Sequence, residues 1–485
     1  MDSKLTETMR DSVAGVSAYV SFEGLVAEAG LRRRHRAVVA AAVVLVLVLG
    51  VIVAPPLVGW QGQPATVGTT SGASEALSLP DRVGTPQLGA WSVQRRPVAA
   101  ASMIFTAENW WYEPSSMGYV AAVSTSGDDY RLLFGGWGDP AGEEVLLSSD
   151  GGTVAMANEL VELRTGKTRR LPSVSGTEET FPVAWSRGGD RLAVVGFDGR
   201  YMRQPDTTDA YTETRAVLAV WEIATNQLTT ITELDPRTLF YGWLAAFGPD
   251  GRTLAYQSGR TITVITVGGE VRSRFTVPEG TQLAGKGTWT PDGRRLTLVT
   301  QRRCCDGDAY PSRWQLRTVD PNTGAELPTT TPLAEQAGLV ALRLLGWAPD
   351  GAGVVVRYHP RPDAEVAGFG ARDGITYGEW TKLETDVVAL TDNGTRLLLA
   401  GTGEAMHGVD IADDVIASGR THAGKLPPDG IGPQYRMYLK IAGLAIVAVL
   451  LIAGAAVLTN AILRRNHRRR RSGIGSAPGT DLASS

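Results

Sequence analysis

The sequence predicts an all-β fold, a six-bladed β-propeller of four-stranded blades, flanked by two transmembrane α-helices. A short turn phrase recurs five times between apolar runs, and a second turn signal follows each copy. Two long, almost uncharged apolar stretches lie outside these repeats, one on each side. The first two observations predict the propeller, and the third predicts the helices.

The repeated phrase carries the residues of a tight turn. Proline fixes φ, while Asp and Gly accept the conformations of a hairpin turn, so Pro-Asp-Gly between apolar runs is a hairpin signal. Two copies lack the proline but keep the glycines. The five copies span residues 147–152, 184–189, 246–251, 288–293 and 346–351.

A second set of turn signals marks the outer half of each unit, and it has six members. Six outer hairpins and five inner ones imply six units of roughly forty to sixty residues, the first of which has lost its phrase. We expect residues 79–86, 91–93 and 101–105 to supply the missing inner strands of that unit. Because a propeller avoids open edges by joining strands from both ends, we expect residues 407–417 to close the ring.

The phrases resemble the blades of TolB-like and WD-repeat six-bladed propellers, as found in many actinobacterial membrane proteins of unassigned role. The resemblance covers about residues 86–420. It implies the fold but leaves the function open, because propellers serve as binding scaffolds, peptidase gates and hydrolases alike. The aromatic residues at the repeated position are interpreted as blade-packing side chains: Trp185, Phe247, Trp289 and Trp347.

The N-terminal region predicts a cytoplasmic head, a membrane anchor and a tether. Residues 1–36 hold apolar residues at helical spacing and end in an Arg-rich run. Residues 37–58 are uncharged and long enough to span a hydrocarbon core of ~30 Å. A cleaved signal peptide is the alternative, although the lead is long and two prolines follow the obvious cleavage position. Residues 59–80, rich in Gly, Thr, Ser and Pro, predict a flexible tether.

The C-terminal region repeats this arrangement in reverse. After a propeller at 81–420, residues 421–438 predict a second tether and residues 439–463 a second transmembrane helix. Residues 464–485 form a basic tail with six arginines. Arginine clusters flank both helices on the side away from the propeller, and such clusters stay in the cytoplasm. The sequence therefore predicts a two-pass protein of the plasma membrane, with both termini cytoplasmic and the propeller outside.

The charge distribution restricts the partners. Residues 54–440 hold 35 basic and 44 acidic side chains, and an acidic ectodomain argues against nucleic acid or anionic lipid as its partner. The basic tail fits anionic headgroups of the membrane. A protein or peptide partner outside the membrane is expected, with a cytoplasmic regulator at residues 1–36.

Metal and redox chemistry have little support in the sequence. The only cysteines, Cys304 and Cys305, are adjacent, whereas a zinc site needs about four separated ligands. They form either a strained vicinal disulfide or two partly buried thiols. Asp306 and Asp308 alone leave a calcium site short of ligands, so no metal and no cofactor is predicted.

Two blades carry insertions that predict a ligand-binding surface. These insertions span residues 198–214 and 357–385. Propeller loops on one face gather around the central channel, and binding residues are commonly found there. The residues predicted to bind a ligand are Tyr201, Arg203, Arg361, Arg372 and Trp380.

Motifs of catalysis are missing from the sequence. It contains no Gly-x-Ser-x-Gly elbow, phosphate-binding Gly-Lys-Ser/Thr loop or His-Glu-x-x-His helix, and its five histidines are scattered. We therefore predict no catalytic residues and a non-enzymatic binding or sensory module for a protein, peptide or envelope ligand. An envelope assembly scaffold and a propeller hydrolase or lyase are the alternatives. The head also resembles transmembrane regulators of sigma factors, although the zinc-type His and Cys pattern of that class is missing.

The predicted topology can be tested by cysteine labelling of intact cells. Ser71 and Ser476 are each replaced by Cys in turn, and a membrane-impermeant thiol reagent is added. The residue at position 71 should be modified, whereas the residue at position 476 should react only after lysis. Modification at position 476 in unbroken cells would show that the orientation is wrong.

Overall fold

The strands of the propeller form on either side of the predicted turns. The computed structural model describes residues 77–86, 89–107, 119–133, 140–198, 215–236, 239, 242–302, 312–328, 333–361, 383–392, 394–401, 406–428 and 432–472. The chain separates into two units, one comprising 62–435 and the other comprising 1–61 with 436–485.

The first half of the propeller contains the N-terminal strands and the first three blades. In chain order its strands are β1 (Leu79–Pro80), β2 (Arg82–Val83), β3 (Ala101–Ala107), β4 (Tyr119–Ser124), β5 (Tyr130–Leu133), β6 (Leu146–Leu147), β7 (Thr153–Met156), β8 (Glu159–Glu162), β9 (Thr168–Arg170), β10 (Glu179–Trp185), β11 (Arg191–Asp198), β12 (Arg215–Glu222) and β13 (Gln227–Leu234).

The second half contains the last three blades, the closing strands and the two described helices. Its elements are β14 (Ala245–Phe247), β15 (Thr253–Ser258), β16 (Thr261–Thr266), β17 (Val271–Thr276), β18 (Thr281–Leu283), β19 (Leu296–Arg302), β20 (Ser312–Val319), β21 (Glu326–Leu327), β22 (Gln336–Leu339), β23 (Ala341–Trp347), β24 (Gly353–Pro360), β25 (Leu383–Thr391), β26 (Gly394–Gly401), β27 (Gly408–Ile411), α1 (Asp413–Ser418), β28 (Thr421–His422) and α2 (Pro433–Ser472).

These strands form six antiparallel blades. Three are uninterrupted four-stranded meanders, β6 to β9, β10 to β13 and β14 to β17. The fifth blade runs from β18 to β21, and β22 also pairs with β20. The first blade has the order β27-β3-β4-β5, and the last has the order β2-β26-β25-β24-β23. The all-β, six-bladed propeller predicted from the repeats is therefore confirmed.

Both ends of the domain close the ring. The C-terminal strand β27 pairs antiparallel with β3, so that Val409 lies opposite Phe105 and Ile411 opposite Met103. The N-terminal strand β2 pairs parallel with β26 at the edge of the last blade. Closure by residues 407–417 is confirmed. Of the N-terminal segments predicted to supply the inner strands of the first blade, 101–105 does so as β3. Residues 79–86 do not, because β1 and β2 pair with β28 and β26, and β27 takes the innermost position.

The repeated phrase forms the turn between the first and second strands of a blade. At Asp292, Oδ1 accepts hydrogen bonds from the Thr290 hydroxyl at 2.6 Å and from the Arg294 N–H at 3.0 Å. These bonds hold the pKa of Asp292 below its usual range. Gly293 has φ 68°, a left-handed conformation that glycine adopts without steric cost. The aspartate and glycine of the phrase therefore serve the turn.

The tryptophans of the phrases tie neighbouring blades together. The Trp185 indole N–H donates to the Leu146 carbonyl at 3.3 Å, and the Trp289 indole donates to the Ala246 carbonyl at 3.1 Å. Trp347 donates to the Gly287 carbonyl at 2.9 Å. Each acceptor belongs to the preceding blade, which confirms the interpretation of these residues as blade-packing aromatics. Phe247 occupies the same position, but its ring has no N–H group to donate a hydrogen bond.

The segment after α1 is hydrogen-bonded to the start of the domain. β28 pairs parallel with β1, and the Gly424 N–H donates to Asp81 Oδ1 at 2.8 Å. The Lys425 N–H donates to Asp128 Oδ2 at 3.0 Å. Residues 421–425, which composition placed in a flexible tether, thus form part of the propeller's edge, because a parallel partner strand is available there.

The helix α2 contains the predicted C-terminal span 439–463. Its stretch Arg436–Asn466 is 31 residues long and apolar enough to cross a membrane. Large apolar side chains along it are exposed, among them Leu444, Leu451 and Val457. It is the one such helix within the described ranges. The first predicted span, 37–58, lies outside them and stays a prediction, as do the cytoplasmic placements of both termini.

Ring closure can be tested with a single substitution in β27. Ile411→Ala removes a completely buried side chain that joins the first blade to α1, and should lower the free energy of unfolding by about 2–5 kcal/mol. Leu397→Ala is the control, since Leu397 is 56% exposed and should change it by less than about 0.5 kcal/mol. Urea unfolding measures both. Equal stabilities of the two variants would contradict the closing role of β27.

Candidate ligand-binding cavity

A cavity of about 380 Å³ lies in the central channel of the propeller. Every blade contributes to its wall, because the innermost strands and the residues beside them converge on the axis. The first blade contributes through β27 and the helix α1 that follows it. Its aromatic lining comes from the repeated phrases, and these residues are Trp185, Phe247, Trp289 and Trp347.

The cavity lies toward the end of the propeller that carries the phrase turns, here named the phrase face. Three phrase prolines line it, Pro249, Pro291 and Pro349, and so does the exposed Ala417 of α1. The insertions leave their blades at the opposite ends of the strands. β11, for example, runs eight residues from its phrase turn to Asp198, a distance of about 26 Å. The phrase face and the insertion face are therefore distinct.

A lysine and two aspartates meet inside the cavity. Lys286 Nζ lies 2.8 Å from Asp410 Oδ1 and 3.1 Å from Asp413 Oδ1, and it also donates to the Ile411 carbonyl. Asp410 is almost completely buried, and its Oδ2 accepts the Leu147 N–H at 2.8 Å. The Ser149 hydroxyl donates to Asp413 Oδ2 at 2.7 Å. This cluster joins the second and fifth blades to β27 and α1.

The two aspartates of the cluster keep Lys286 in its charged form. Burial alone would lower the pKa of Lys286, but the carboxylates of Asp410 and Asp413 outweigh burial and raise it. An ammonium group with a raised pKa does not act as a base near neutral pH. The cluster therefore contributes fixed charge and positioning to the cavity rather than proton transfer.

A buried arginine contacts Gly142, which lines the cavity. Arg343 of β23 is 1% exposed and donates to the carbonyls of Gly142 and Val409. Gly142 has φ 85°, and a Cβ at that position would overlap the guanidinium group. The guanidinium lies 5.9 Å from the ring centre of Trp243. Arg343 thus ties the last blade to the second blade and to the closing strand.

Burial also keeps a tyrosine of this region protonated. The Tyr358 hydroxyl donates to Glu143 Oε1 at 3.2 Å, and both side chains are buried. Desolvation raises the pKa of Tyr358 well above its usual range, although Arg343 opposes this. The hydroxyl is therefore a hydrogen-bond donor at any physiological pH.

Of the five residues predicted to bind a ligand, the structure describes only Arg361. Arg361 follows β24 at the insertion end of its strand and does not line the cavity. Tyr201, Arg203, Arg372 and Trp380 lie outside the described residues, so the insertion face stays a prediction.

We did not predict the cavity cluster from the sequence, although charged residues in two otherwise apolar strands indicate polar contacts in this region. Asp410 and Arg343 are each a single charged residue within an apolar strand that faces the channel, at Gly408–Ile411 and Ala341–Trp347. A charge in such a strand is costly unless it is paired, so it marks a polar contact across the channel.

Metal-binding side chains are not grouped in the part of the chain that the structure describes, where no cluster of three or more His, Cys, Asp or Glu is suited to a metal ion. The predicted alternatives for Cys304 and Cys305, and the weak carboxylate pair Asp306 and Asp308, lie outside that part. They stay predictions.

The lysine cluster can be tested by removing its positive charge. Lys286→Met leaves the buried Asp410 carboxylate without its cation, and should lower the free energy of unfolding by about 3–5 kcal/mol. Adding Asp410→Asn should recover part of this loss, because the buried negative charge is then absent. Urea unfolding of the two variants measures the difference. A double variant as unstable as the single one would contradict the pairing.

The same pair predicts a pH dependence. Because the folded-state pKa of Lys286 is raised, its contribution to stability is fully present below the unfolded-state pKa of about 10.4. It is lost only as the pH rises through the folded-state value. The stability difference between the natural chain and Lys286→Met should therefore stay constant from neutral pH to about pH 10. A decline near neutrality in urea unfolding would show that Lys286 is not held as an ammonium.

Comparisons with known proteins find no family and only distant likenesses among solved structures. No protein-family profile matches the chain, and no curated protein matches it. Among solved structures it is similar to hydrazine synthase of Kuenenia stuttgartiensis, with 18% identity over 53% of this chain and 65% of that chain and a TM-score of 0.30. An oligogalacturonate lyase in complex with manganese shows 14% identity over 66% and 86%, with a TM-score of 0.37.

The putative TolB of Agrobacterium tumefaciens is also similar, with 15% identity over 50% of this chain and 79% of that chain and a TM-score of 0.29. Identities this low concern the fold alone. The sheet order and the closing strands of the chain itself carry the assignment. The chain is a six-bladed β-propeller, and TolB-like propellers are among the structures that it resembles.

Proposed function

We propose that this chain is a membrane-tethered, extracytoplasmic binding or sensory module whose central cavity takes a segment of a protein or peptide partner at the phrase face. The observation that carries the proposal is a single cavity to which all six blades contribute, with aromatic walls and a fixed polar cluster. Concave sites with mostly apolar walls and a few placed polar groups are where ligands gain buried area.

The size and lining of the cavity favour a short segment of polypeptide. A volume of about 380 Å³ is at the lower end of the range for ligand pockets, and suits one or two side chains rather than a large ligand. Tryptophan rings and prolines form apolar surfaces that pack against the side chains of an extended peptide. Trp185 and Trp347 are only partly buried, so their rings remain available for contact.

The polar groups of the cavity favour recognition over catalysis. Lys286, Asp410 and Asp413 bond to one another, to the Ser149 hydroxyl and to backbone groups, so their charges are held in fixed positions. Arg187 lines the cavity at the phrase face. A partner segment would meet a positive charge there and the carboxylate of Asp413, which is 36% exposed.

The helix α2 is the support for tethering. It has the length and composition of a membrane span, and an arginine cluster follows its apolar stretch. The positive-inside rule expects such an arginine cluster to stay in the cytoplasm, so the other end of the span, which leads to the propeller, would face away from it. An envelope scaffold would hold its partner by another surface and would not need the cavity.

Filling the cavity mouth tests the proposal. The detergent-solubilised full chain is used to select binders from a phage-displayed library of random peptides. Ala417→Trp places a large side chain at the mouth and should weaken the enriched peptides at least about tenfold. Ala224→Trp is the matched control, because Ala224 is an equally exposed alanine in the turn between β12 and β13, outside the cavity.

Two results would contradict the cavity as the binding site. One is that the peptides bind Ala417→Trp as tightly as the natural chain. The other is that no peptide enriches over beads without protein. Binding that is lost in Ala224→Trp instead would place the site on the outer surface of the third blade.

A further inference from the structure

A serine, a histidine and an aspartate form a continuous hydrogen-bonded chain at the edge of the propeller. Ser78 Oγ lies 2.9 Å from His422 Nδ1. His422 Nε2 lies 3.0 Å from Asp128 Oδ1 and 2.9 Å from Asp128 Oδ2. The three residues come from the start of the domain, from β28 and from the turn between β4 and β5. None of them lines the central cavity.

The geometry fixes the direction of the bond to Asp128 and, for the neutral ring, the direction of the bond to Ser78. A carboxylate only accepts, so the proton between His422 and Asp128 belongs to Nε2. In the neutral ring Nδ1 then carries a lone pair, and the Ser78 hydroxyl donates to it. Asp128 is 6% exposed and is held in turn by the Lys425 N–H at 3.0 Å. The imidazole therefore has one orientation and one tautomer.

We propose that Ser78 is an activated nucleophile, a modification site that accepts an acyl group from an activated ester or thioester. The arrangement is that of a serine within hydrogen-bond reach of a base which a third group orients. Ser78 and His422 are both partly exposed, so a reagent reaches the hydroxyl. Asp128 is a positioning residue, because it touches only the histidine ring and the backbone.

The acyl transfer balances with the groups present. The Ser78 oxygen forms a bond to the carbonyl carbon of the donor while His422 Nδ1 takes the hydroxyl proton. The bond from that carbon to the leaving oxygen or sulfur then breaks, and the proton passes from Nδ1 to the leaving group. The products are a serine ester and an alcohol or thiol, with the imidazole neutral again. Nothing is oxidised or reduced.

The serine and histidine are not needed to hold the two ends of the domain together. The backbone already does this, since the Leu79 N–H donates to the Arg420 carbonyl at 2.9 Å and the Asp81 N–H donates to the His422 carbonyl at 2.8 Å. The side-chain relay is therefore additional to the strand pairing of β1 with β28. This proposal is independent of the cavity and its ligand.

The test compares two serines in the same molecule. The full chain in detergent is treated with p-nitrophenyl acetate, and the acetylation rate of each serine is followed by peptide mass spectrometry. Ser126 is the internal control, because it lies exposed in the same turn as Asp128 and bonds only to Ser124. Ser78 should react at least about 100-fold faster than Ser126, the usual gain from a positioned base.

Variants separate activation from a structural role. His422→Gln should reduce the Ser78 rate to that of Ser126, and Asp128→Asn should slow it while leaving the Ser126 rate unchanged. Ser126→Ala should leave the Ser78 rate as it was. Equal rates at the two serines of the natural chain overturn the proposal without any variant, and so does a Ser78 rate that is unaffected in a folded His422→Gln protein.

Discussion

The structure depends on the pairing of β27 with β3, because this is the one place where the inner strand of a blade comes from the far end of the domain. Four blades form from contiguous chain, the last one adds β2 at its edge, and the first is completed only when the C-terminal strand returns to it. The same strand carries Asp410, accepts the Arg343 guanidinium at Val409 and leads into α1. The cavity is therefore complete only when β27 has paired with β3 and closed the ring.

This coupling explains why charged groups are found on the axis of an otherwise apolar domain. A buried charge costs several kcal/mol unless it is paired and hydrogen-bonded. Lys286 meets partners from β27 and α1. Arg343 meets Val409 of β27 and Gly142, which precedes the second blade. Each charge is therefore satisfied only when its own blade and β27 are correctly spaced. Buried ion pairs of this kind add little net stability. A ring that closed in another register would leave these charges unpaired and would therefore be less stable.

The parts of the fold that the sequence predicted are those set by neighbouring residues. The phrase turns depend on Asp, Gly and backbone groups within a few positions, and the blade-packing tryptophans recur in fixed register. The cavity cluster and the Ser78–His422–Asp128 relay depend instead on residues far apart in the sequence. The single charge of Asp410 in an apolar strand indicates a polar contact, but no local pattern identifies its partner. The insertion residues were predicted from loop length; all but Arg361 lie outside the described residues, so that prediction stays open.

The parallel pairing of β1 with β28 has a mechanical consequence. The chain enters the propeller at the beginning of β1 and leaves it beyond β28, so tension between the two ends pulls on opposite ends of two parallel strands. In that geometry the hydrogen bonds between the strands bear the load together, in shear, instead of opening one after another. The relay from Ser78 to Asp128 and the bonds to residues 424 and 425 cross the same seam. Tension applied through the two ends of the domain therefore loads this joint in shear.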